Sequence, residues 1–339
     1  MDDDPDRYVQ LLVHYMKDKS ESEKPQEFCL KKIWEACKGN KADSEASRFD
    51  NRKDISAFMK HHITKYVVAA MQRFPSSKKL QKLGAGTIWS LCVDRKSTEQ
   101  LVQEGAVVQM VSVLNRFGND PTVAKHAIGA LQSISVERTA RQVLIEANAT
   151  VAVTDVMKNH QSCERIVYYG CKYLSNSWIV GSKGVTSIPS EQLFAVVLGM
   201  VRHQGNGDVV RAGFLALQNF TCYNENVSTL CSNREIFDEL NVLLKREATL
   251  GRKEALVVAK RISLHRTNLR LPSVNEDDAG ERHGDKIKNS PPRSAMSNAI
   301  KISVKIANKD SELARKERRK PDTSPVVDQG TSNRQISGH

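Results

Sequence analysis

The chain has 339 residues, with 51 lysines and arginines against 39 aspartates and glutamates, which gives a formal net charge of +12 at pH 7. Its content of 40% apolar and 27% charged residues is that of a globular protein with a sizeable core and one or two domains. The 6% aromatic content and the scarcity of glycine and proline clusters argue against an all-β sandwich or barrel, which needs many short strands joined by turns.

Targeting segments and disulfides are also not expected. The start of the chain is acidic, and the longest apolar stretch, near 193–201, is too short to span a bilayer. The seven cysteines are odd in number and form no Cys-x-x-Cys pair, so we expect reduced thiols in the core. These features predict a cytoplasmic protein without a membrane span.

The first predicted helices lie within residues 6–37, and they carry a motif that returns later in the chain. Ile33-Trp34 is repeated as Ile88-Trp89, 55 residues further on. This offset exceeds the 43-residue period described next by about the length of a polar, acidic loop at 39–50. We therefore interpret residues 1–53 as an N-terminal helical cap with that loop inserted, since the end of a repeat array needs an atypical unit to cover its apolar surface.

The middle of the chain repeats every 43 residues. In each unit the apolar residues recur at intervals of three and four, which indicates amphipathic helices, and a shorter helix precedes two long ones at 99–104 and at 141–146. Gly105 follows the first of these and supplies the left-handed backbone that ends a helix. The equivalent positions are Met71, Leu114, Met157 and Met200; the small residues Gly84, Ala127, Gly170 and Gly213; Ile88, Leu131, Leu174 and Leu217; and Leu91, Ile134, Ser177 and Phe220.

The segments 104–107 (Glu-Gly-Ala-Val), 114–117 (Leu-Asn-Arg-Phe) and 127–134 resemble the armadillo repeat family. The likeness covers residues 54–265. It implies an all-α, armadillo-type right-handed superhelical solenoid of about six three-helix units, in which each unit buries the apolar face of the next and the last helices line one wall. Residues 266–339, rich in Pro, Ser, Asn and Asp, are expected to form a disordered basic tail.

The same resemblance suggests where a ligand would bind. Asn176, in Leu-Ser-Asn, and Asn219, in Leu-Gln-Asn, match the family signature whose asparagine hydrogen-bonds the backbone of an extended peptide. Earlier units carry Ser90 and Ser133 in that column. The tryptophans that importin-alpha-like members place four residues before the asparagine are absent, which argues against a nuclear-import adaptor; Gly86, Gly129, Lys172 and Leu215 stand there instead.

Cations recur on the outward face of the last helix of each unit. They would meet the side chains of an extended acidic or phosphorylated segment, although an ordinary solvated helix face would have the same pattern. The residues of this predicted groove are Lys79, Lys82, Lys125, Arg165, Tyr168, Lys172 and Arg211, together with Asn176, Asn219, Ser90 and Ser133.

The tail contains one short basic run. Its residues could form a nuclear localisation signal or a tether to an acidic surface, and short basic runs without a function are also common in tails. The run consists of Arg315, Lys316, Arg318, Arg319 and Lys320.

Signs of chemistry are sparse. No phosphate-binding loop is present, because the glycines 84 and 86 lie inside a helical pattern without a preceding strand. His160, Cys163 and His203 are the only grouping that suggests a metal or a nucleophile, and no further ligand has suitable spacing. We expect no cofactor, no metal and no enzymatic activity.

The sequence thus predicts a non-enzymatic scaffold or adaptor that binds an acidic protein or peptide. Two alternatives remain open at this point. The same basic wall could bind nucleic acid, which would give a steep salt dependence, and other armadillo-class proteins regulate small GTPases or act as chaperones. The oligomeric state is not predicted.

Overall fold

The structure of the protein is a computed structural model that describes residues 5–38, 52–178 and 189–268. Of these residues 83% are helical and none lies in a strand, which confirms the predicted all-α class. No helix within these ranges combines the length and apolar character needed to cross a bilayer. The chain divides into the units Met1–Asp278 and Ala279–His339, and all described residues belong to the first.

Sixteen α-helices and one short 3-10 helix occur in the described ranges. The α-helices are α1 (Pro5–Asp18), α2 (Glu23–Lys38), α3 (Arg52–Lys60), α4 (Ile63–Arg73), α5 (Lys78–Leu91), α6 (Arg95–Gln103), α7 (Ala106–Phe117), α8 (Pro121–Ile134), α9 (Arg141–Glu146), α10 (Ala149–Asn159), α11 (Glu164–Ser177), α12 (Ser190–Arg202), α13 (Gly207–Phe220), α14 (Asn224–Ser232), α15 (Arg234–Thr249) and α16 (Lys253–Asn268); the 3-10 helix is Arg138–Ala140.

Helix boundaries follow the 43-residue period. Helices α5, α8, α11 and α13 start at residues 78, 121, 164 and 207, and each has 14 residues. The short helix predicted from residue 99 begins earlier, at Arg95, because the Asp94 side chain accepts a hydrogen bond from the Ser97 amide and caps it. The one predicted at 141–146 is α9, and its counterpart one unit later lies outside the described residues.

The first two helices resemble a unit displaced by 55 residues. Gln26 Nε2 donates hydrogen bonds to the carbonyls of Met16 and Lys19, each at 2.9 Å. Gln81 makes the equivalent bonds, to the carbonyls of Met71 at 2.7 Å and Phe74 at 3.0 Å. All three pairs of positions differ by 55, so α1 and α2 repeat the local geometry of α4 and α5 across the inserted segment.

Two series of consecutive contacts run through the described helices. Helix α2 packs on α5, α5 on α8, α8 on α11, α11 on α13 and α13 on α16. In the second series α1 packs on α4, and the contacts continue through α7, α10 and α12 to α15. The core lies between these two layers, where nearly all apolar positions of the four repeating columns are buried.

The small residues of the second column make room for a side chain of the same unit. A Cβ atom on Gly84 would overlap the sulfur of Met71, and the same holds for Gly170 with Met157. Gly213 and Met200 form a third such pair. In the remaining unit the pair is Leu114 with Ala127. The column was predicted to allow close approach of a neighbouring helix; the space is taken up by a buried methionine of the preceding helix.

Neighbouring units are also joined by side-chain donors that reach backbone carbonyls. Asn219 Nδ2 donates to the Ser175 carbonyl at 2.7 Å, Asn176 Nδ2 lies 3.5 Å from that of Gln132, and Arg261 donates to that of Gln218. The three acceptors are 43 residues apart. Each is a carbonyl in the last turn of a helix, which has no partner within its own helix, so these bonds tie successive last helices together.

A second series joins the ends of the middle helices. His160 Nε2 donates to the Gly118 carbonyl at 2.6 Å, and His203 Nε2 donates to the Gln161 carbonyl at 2.8 Å. Arg246 continues the series by donating to the Gln204 carbonyl at 2.6 Å. Donors and acceptors are both spaced by 43 residues. The layers are therefore held in the same register on both sides of the core.

The turn into the middle helix needs left-handed backbone in three units. Gly105 has a φ of 87°, and the equivalent residues His62 and Asn148 have φ values of 53° and 54°. The left-handed conformation predicted at Gly105 is thereby confirmed. Glycine adopts it without a steric cost, whereas a histidine pays one. His62 Nδ1 pairs at 2.5 Å with Glu104 Oε1, a contact that holds the strained residue in place.

The pairing of glycine with methionine can be tested at Gly84. Helix propensity alone predicts that Gly84→Ala stabilises the protein by about 1 kcal/mol. We expect instead a loss of about 1–3 kcal/mol in the free energy of unfolding, because the new methyl group overpacks against buried Met71. Met71→Leu/Gly84→Ala, which installs the pair found at 114 and 127, should recover most of that loss. Urea denaturation measures both, and a Gly84→Ala protein more stable than the parent would refute the steric explanation.

A second prediction concerns the N-caps of the last helices. Ser77, Asp120 and Asn206 precede α5, α8 and α13, and each side chain accepts a hydrogen bond from a backbone amide of its helix. Cys163 occupies this position before α11 and makes no such bond. The bond from Thr122, then that from Lys78, lowers the pKa of the Asp120 carboxyl, as expected for a stabilised carboxylate.

We therefore expect Cys163→Asp to stabilise the protein by about 0.5–2 kcal/mol in urea denaturation. Asp120→Ala, the matched removal of an existing cap, should destabilise it by a similar amount. A Cys163→Asp protein with unchanged or reduced stability would show that position 163 does not act as an N-cap.

Candidate functional site

The outward side chains of α5, α8, α11 and α13 form one continuous surface, which we call the last-helix face. It can be followed in four rows of equivalent positions because the helices are in register. These rows are Lys79, Thr122, Arg165 and Asp208; Lys82, Lys125, Tyr168 and Arg211; Gly86, Gly129, Lys172 and Leu215; and Ser90, Ser133, Asn176 and Asn219.

The cations of this face differ in whether the chain itself neutralises them. Lys82 and Lys125 are half-buried, Arg165 is exposed, and none of the three makes an ion pair with any described residue. At the two ends, Lys79 pairs with Glu27 of α2, and Arg211 lies 3.8 Å from Glu254 of α16. The uncompensated charge is therefore concentrated on the central helices α5, α8 and α11.

Helix α11 adds an aromatic ring between cations. Lys172 Nζ lies 5.3 Å from the centre of the Tyr168 ring, a cation–π contact, and Arg165 stands one turn before Tyr168. Tyr168 is half-buried and contacts Tyr169 at 5.2 Å between ring centres. The ring takes the place that a lysine occupies in the two preceding units.

The asparagines predicted to hold a peptide have one role inside the chain. The Nδ2 atoms of Asn176 and Asn219 donate to groups of the preceding last helix, as described above, and Asn176 also donates to Ser135 Oγ at 3.1 Å. Their Oδ1 atoms accept no hydrogen bond from the described residues. Both side chains are half-buried, as are those of Ser90 and Ser133, so acceptors rather than donors are available to a ligand here.

Two tryptophans reach this face from the preceding unit. A Cβ on Gly86 would lie 2.7 Å from Cε2 of Trp34, and one on Gly129 would lie 2.7 Å from Cε2 of Trp89. Both rings are half-buried. Sequence comparison within a unit places no tryptophan in this row, but the neighbouring unit supplies a ring there. The shared Ile-Trp motif was the signal for these rings, although its direction across the units could not be read from it.

The rings belong to an aromatic cluster that links three helices. His126 of α8 lies 5.3 Å from Trp34 and 6.1 Å from Trp89 between ring centres, and Trp89 lies 5.0 Å from Tyr169 of α11. All of these contacts are edge-to-face, the arrangement favoured by the ring quadrupoles. His126 Nδ1 donates to the Thr122 carbonyl at 2.7 Å, which fixes the orientation of its ring. The cluster holds the tryptophans rigidly beside the cations.

The grouping considered for metal or nucleophilic chemistry serves the fold. His160 and His203 each bond a carbonyl of the preceding unit, and Cys163 begins α11. Among the described residues no three His, Cys, Asp or Glu side chains are placed to hold a metal ion. Burial raises the pKa of the Cys29 thiol to about 11 and that of Cys171 to about 12, which suits packing rather than nucleophilic attack.

The predicted basic run of the tail, at 315–320, lies outside the described residues, as does the loop at 39–50. Comparison with known proteins adds no assignment. No family model matches the chain, and no curated protein matches it.

Proposed function

We propose that this protein is an armadillo-type right-handed solenoid that works as a non-enzymatic binding scaffold. The fold proposal is supported by the recurrence of helix boundaries at 43 residues, by the two parallel series of helix contacts, and by carbonyl-directed bonds with the same spacing. Five units of this kind start at residues 52, 95, 138, 181 and 224, and α1 with α2 forms the cap. Residues 269–339 follow as the proposed tail.

The proposed ligand is an extended acidic or phosphorylated segment of another protein, bound on the last-helix face. The observation that carries this proposal is the set of Lys82, Lys125 and Arg165 on three consecutive helices without ion pairs among the described residues. Cations of the two flanking helices are neutralised by Glu27 and Glu254. A surface evolved only for solubility has no reason to leave its centre charged and its ends paired.

Charge reversal tests this proposal. The variant Lys82→Glu/Lys125→Glu/Arg165→Glu should bind a labelled oligoglutamate peptide at least about tenfold more weakly than the parent, since favourable contacts become repulsive. Fluorescence anisotropy at fixed ionic strength gives the Kd, and circular dichroism checks that the helices are retained.

The matched control is Lys65→Glu/Lys96→Glu/Arg138→Glu. It makes the same change in net charge at exposed cations of α4, α6 and the 3-10 helix, away from the last-helix face. It should keep the affinity of the parent within about twofold. Equal losses in the two variants would mean that only net charge matters. Tighter binding of generic RNA than of the peptide, with a steep salt slope, would favour the nucleic-acid alternative instead.

A further inference from the structure

The last-helix face repeats at the spacing of packed helices, and this constrains the ligand. Neighbouring packed helices have axes about 8–10 Å apart. Helices α5, α8 and α11 are in contact and in register, and Lys82 and Lys125 occupy the same row. Arg165 and Lys172 stand one turn to either side of that row on α11. A ligand that crosses these helices therefore meets one cationic position about every 8–10 Å.

Chain conformations differ in whether they can present an acid at that interval. In a β-strand, side chains on one face recur every second residue, about 6.8 Å, or every fourth, about 13.6 Å, and neither value fits. A polyproline II helix has three residues per turn and a rise of about 3.1 Å per residue, so every third side chain returns to the same side after about 9.3 Å. That interval falls within the spacing of the helices.

The aromatic rings of the face favour the same conformation. Gly86 and Gly129 follow Lys82 and Lys125 by one helical turn, about 6 Å, and the rings of Trp34 and Trp89 cover these glycines. A row of half-buried rings thus runs beside the row of cations. Polyproline II segments dock in grooves lined by aromatic side chains, where proline rings pack on the aromatic surface.

We infer that the preferred ligand is a proline-rich polyproline II segment with a carboxylate or phosphorylated residue at every third position. One of its three rows of side chains would meet the cations while a second packs against Trp34 and Trp89. This inference rests on the proposed function of the face and adds the conformation and the sequence period of the partner.

The test compares labelled peptides that each contain five glutamates. One has Glu-Pro-Pro triplets, one alternates Glu with Pro, one has Glu-Pro-Pro-Pro repeats, and one is a helical peptide with a glutamate at every seventh residue on an alanine-rich background. Kd values are measured by fluorescence anisotropy on the full chain, on the triple charge-reversal variant and on its control. Trp34→Leu/Trp89→Leu, checked for folding by circular dichroism, removes the rings while keeping apolar side chains over the glycines.

The triplet peptide should bind at least about tenfold tighter than the other three. Its preference should disappear in the charge-reversal variant, remain in the charge control, and shrink severalfold in the tryptophan variant. Similar affinities for all peptides, each lost on charge reversal, would overturn the three-residue period and leave the proposed function standing. Tighter binding of the helical peptide would overturn the polyproline II conformation. Absence of binding by every peptide would overturn both the inference and the proposed function.

Discussion

The register between successive last helices is the constraint on which the rest of this structure depends. Helices α5, α8, α11 and α13 have equal lengths and identical spacing, and each contacts the next. Two features maintain this arrangement. Buried methionines fill the space that a glycine leaves open in the same unit, and asparagine or arginine side chains donate to the last-turn carbonyls of the preceding helix. Because both features recur every 43 residues, any outward position recurs on the surface at the spacing of the helices.

This register turns a modest sequence pattern into a surface with a period. Lys82 and Lys125 become neighbours in space, and the ring of Trp89 reaches across to Gly129 of the next unit. The acidic residues Glu27 and Glu254 end the row of uncompensated cations. A face of defined length results, with rings beside charges, and the edge-to-face contacts of His126 restrict movement of the rings. Such preorganisation reduces the entropy that a ligand must overcome on binding.

Much of the helical organisation could be predicted from the sequence, since one column of apolar residues and one of small residues fix the period. The left-handed turn at Gly105 and the short helix α9 follow from the same patterns. The inserted loop was inferred from the 55-residue offset, and the matched bonds of Gln26 and Gln81 show that this offset extends to backbone contacts. These features are local, or they repeat, and either property leaves a trace in one sequence.

The parts that could not be predicted depend on how one unit lies on the next. The rings of Trp34 and Trp89 belong in sequence to one unit and in space to the following one, and no pattern within a unit gives that direction. Likewise, His160 and His203 suggested a metal site until the carbonyl that each one bonds was known. Ion pairs such as Lys79 with Glu27 join residues 52 positions apart and decide which cations remain uncompensated.

Distances between spin labels would test the register most directly. Labels are attached to cysteines introduced at exposed, equivalent positions, in the pairs 79 with 165 and 122 with 208, after exposed Cys222 is replaced by serine. Each pair spans two helix intervals, so pulsed electron paramagnetic resonance should give the same narrow distance for both, about 16–20 Å between helix axes plus the reach of the labels. Two clearly different distances, or broad distributions, would show that the last helices do not repeat in register and would contradict the account of the face.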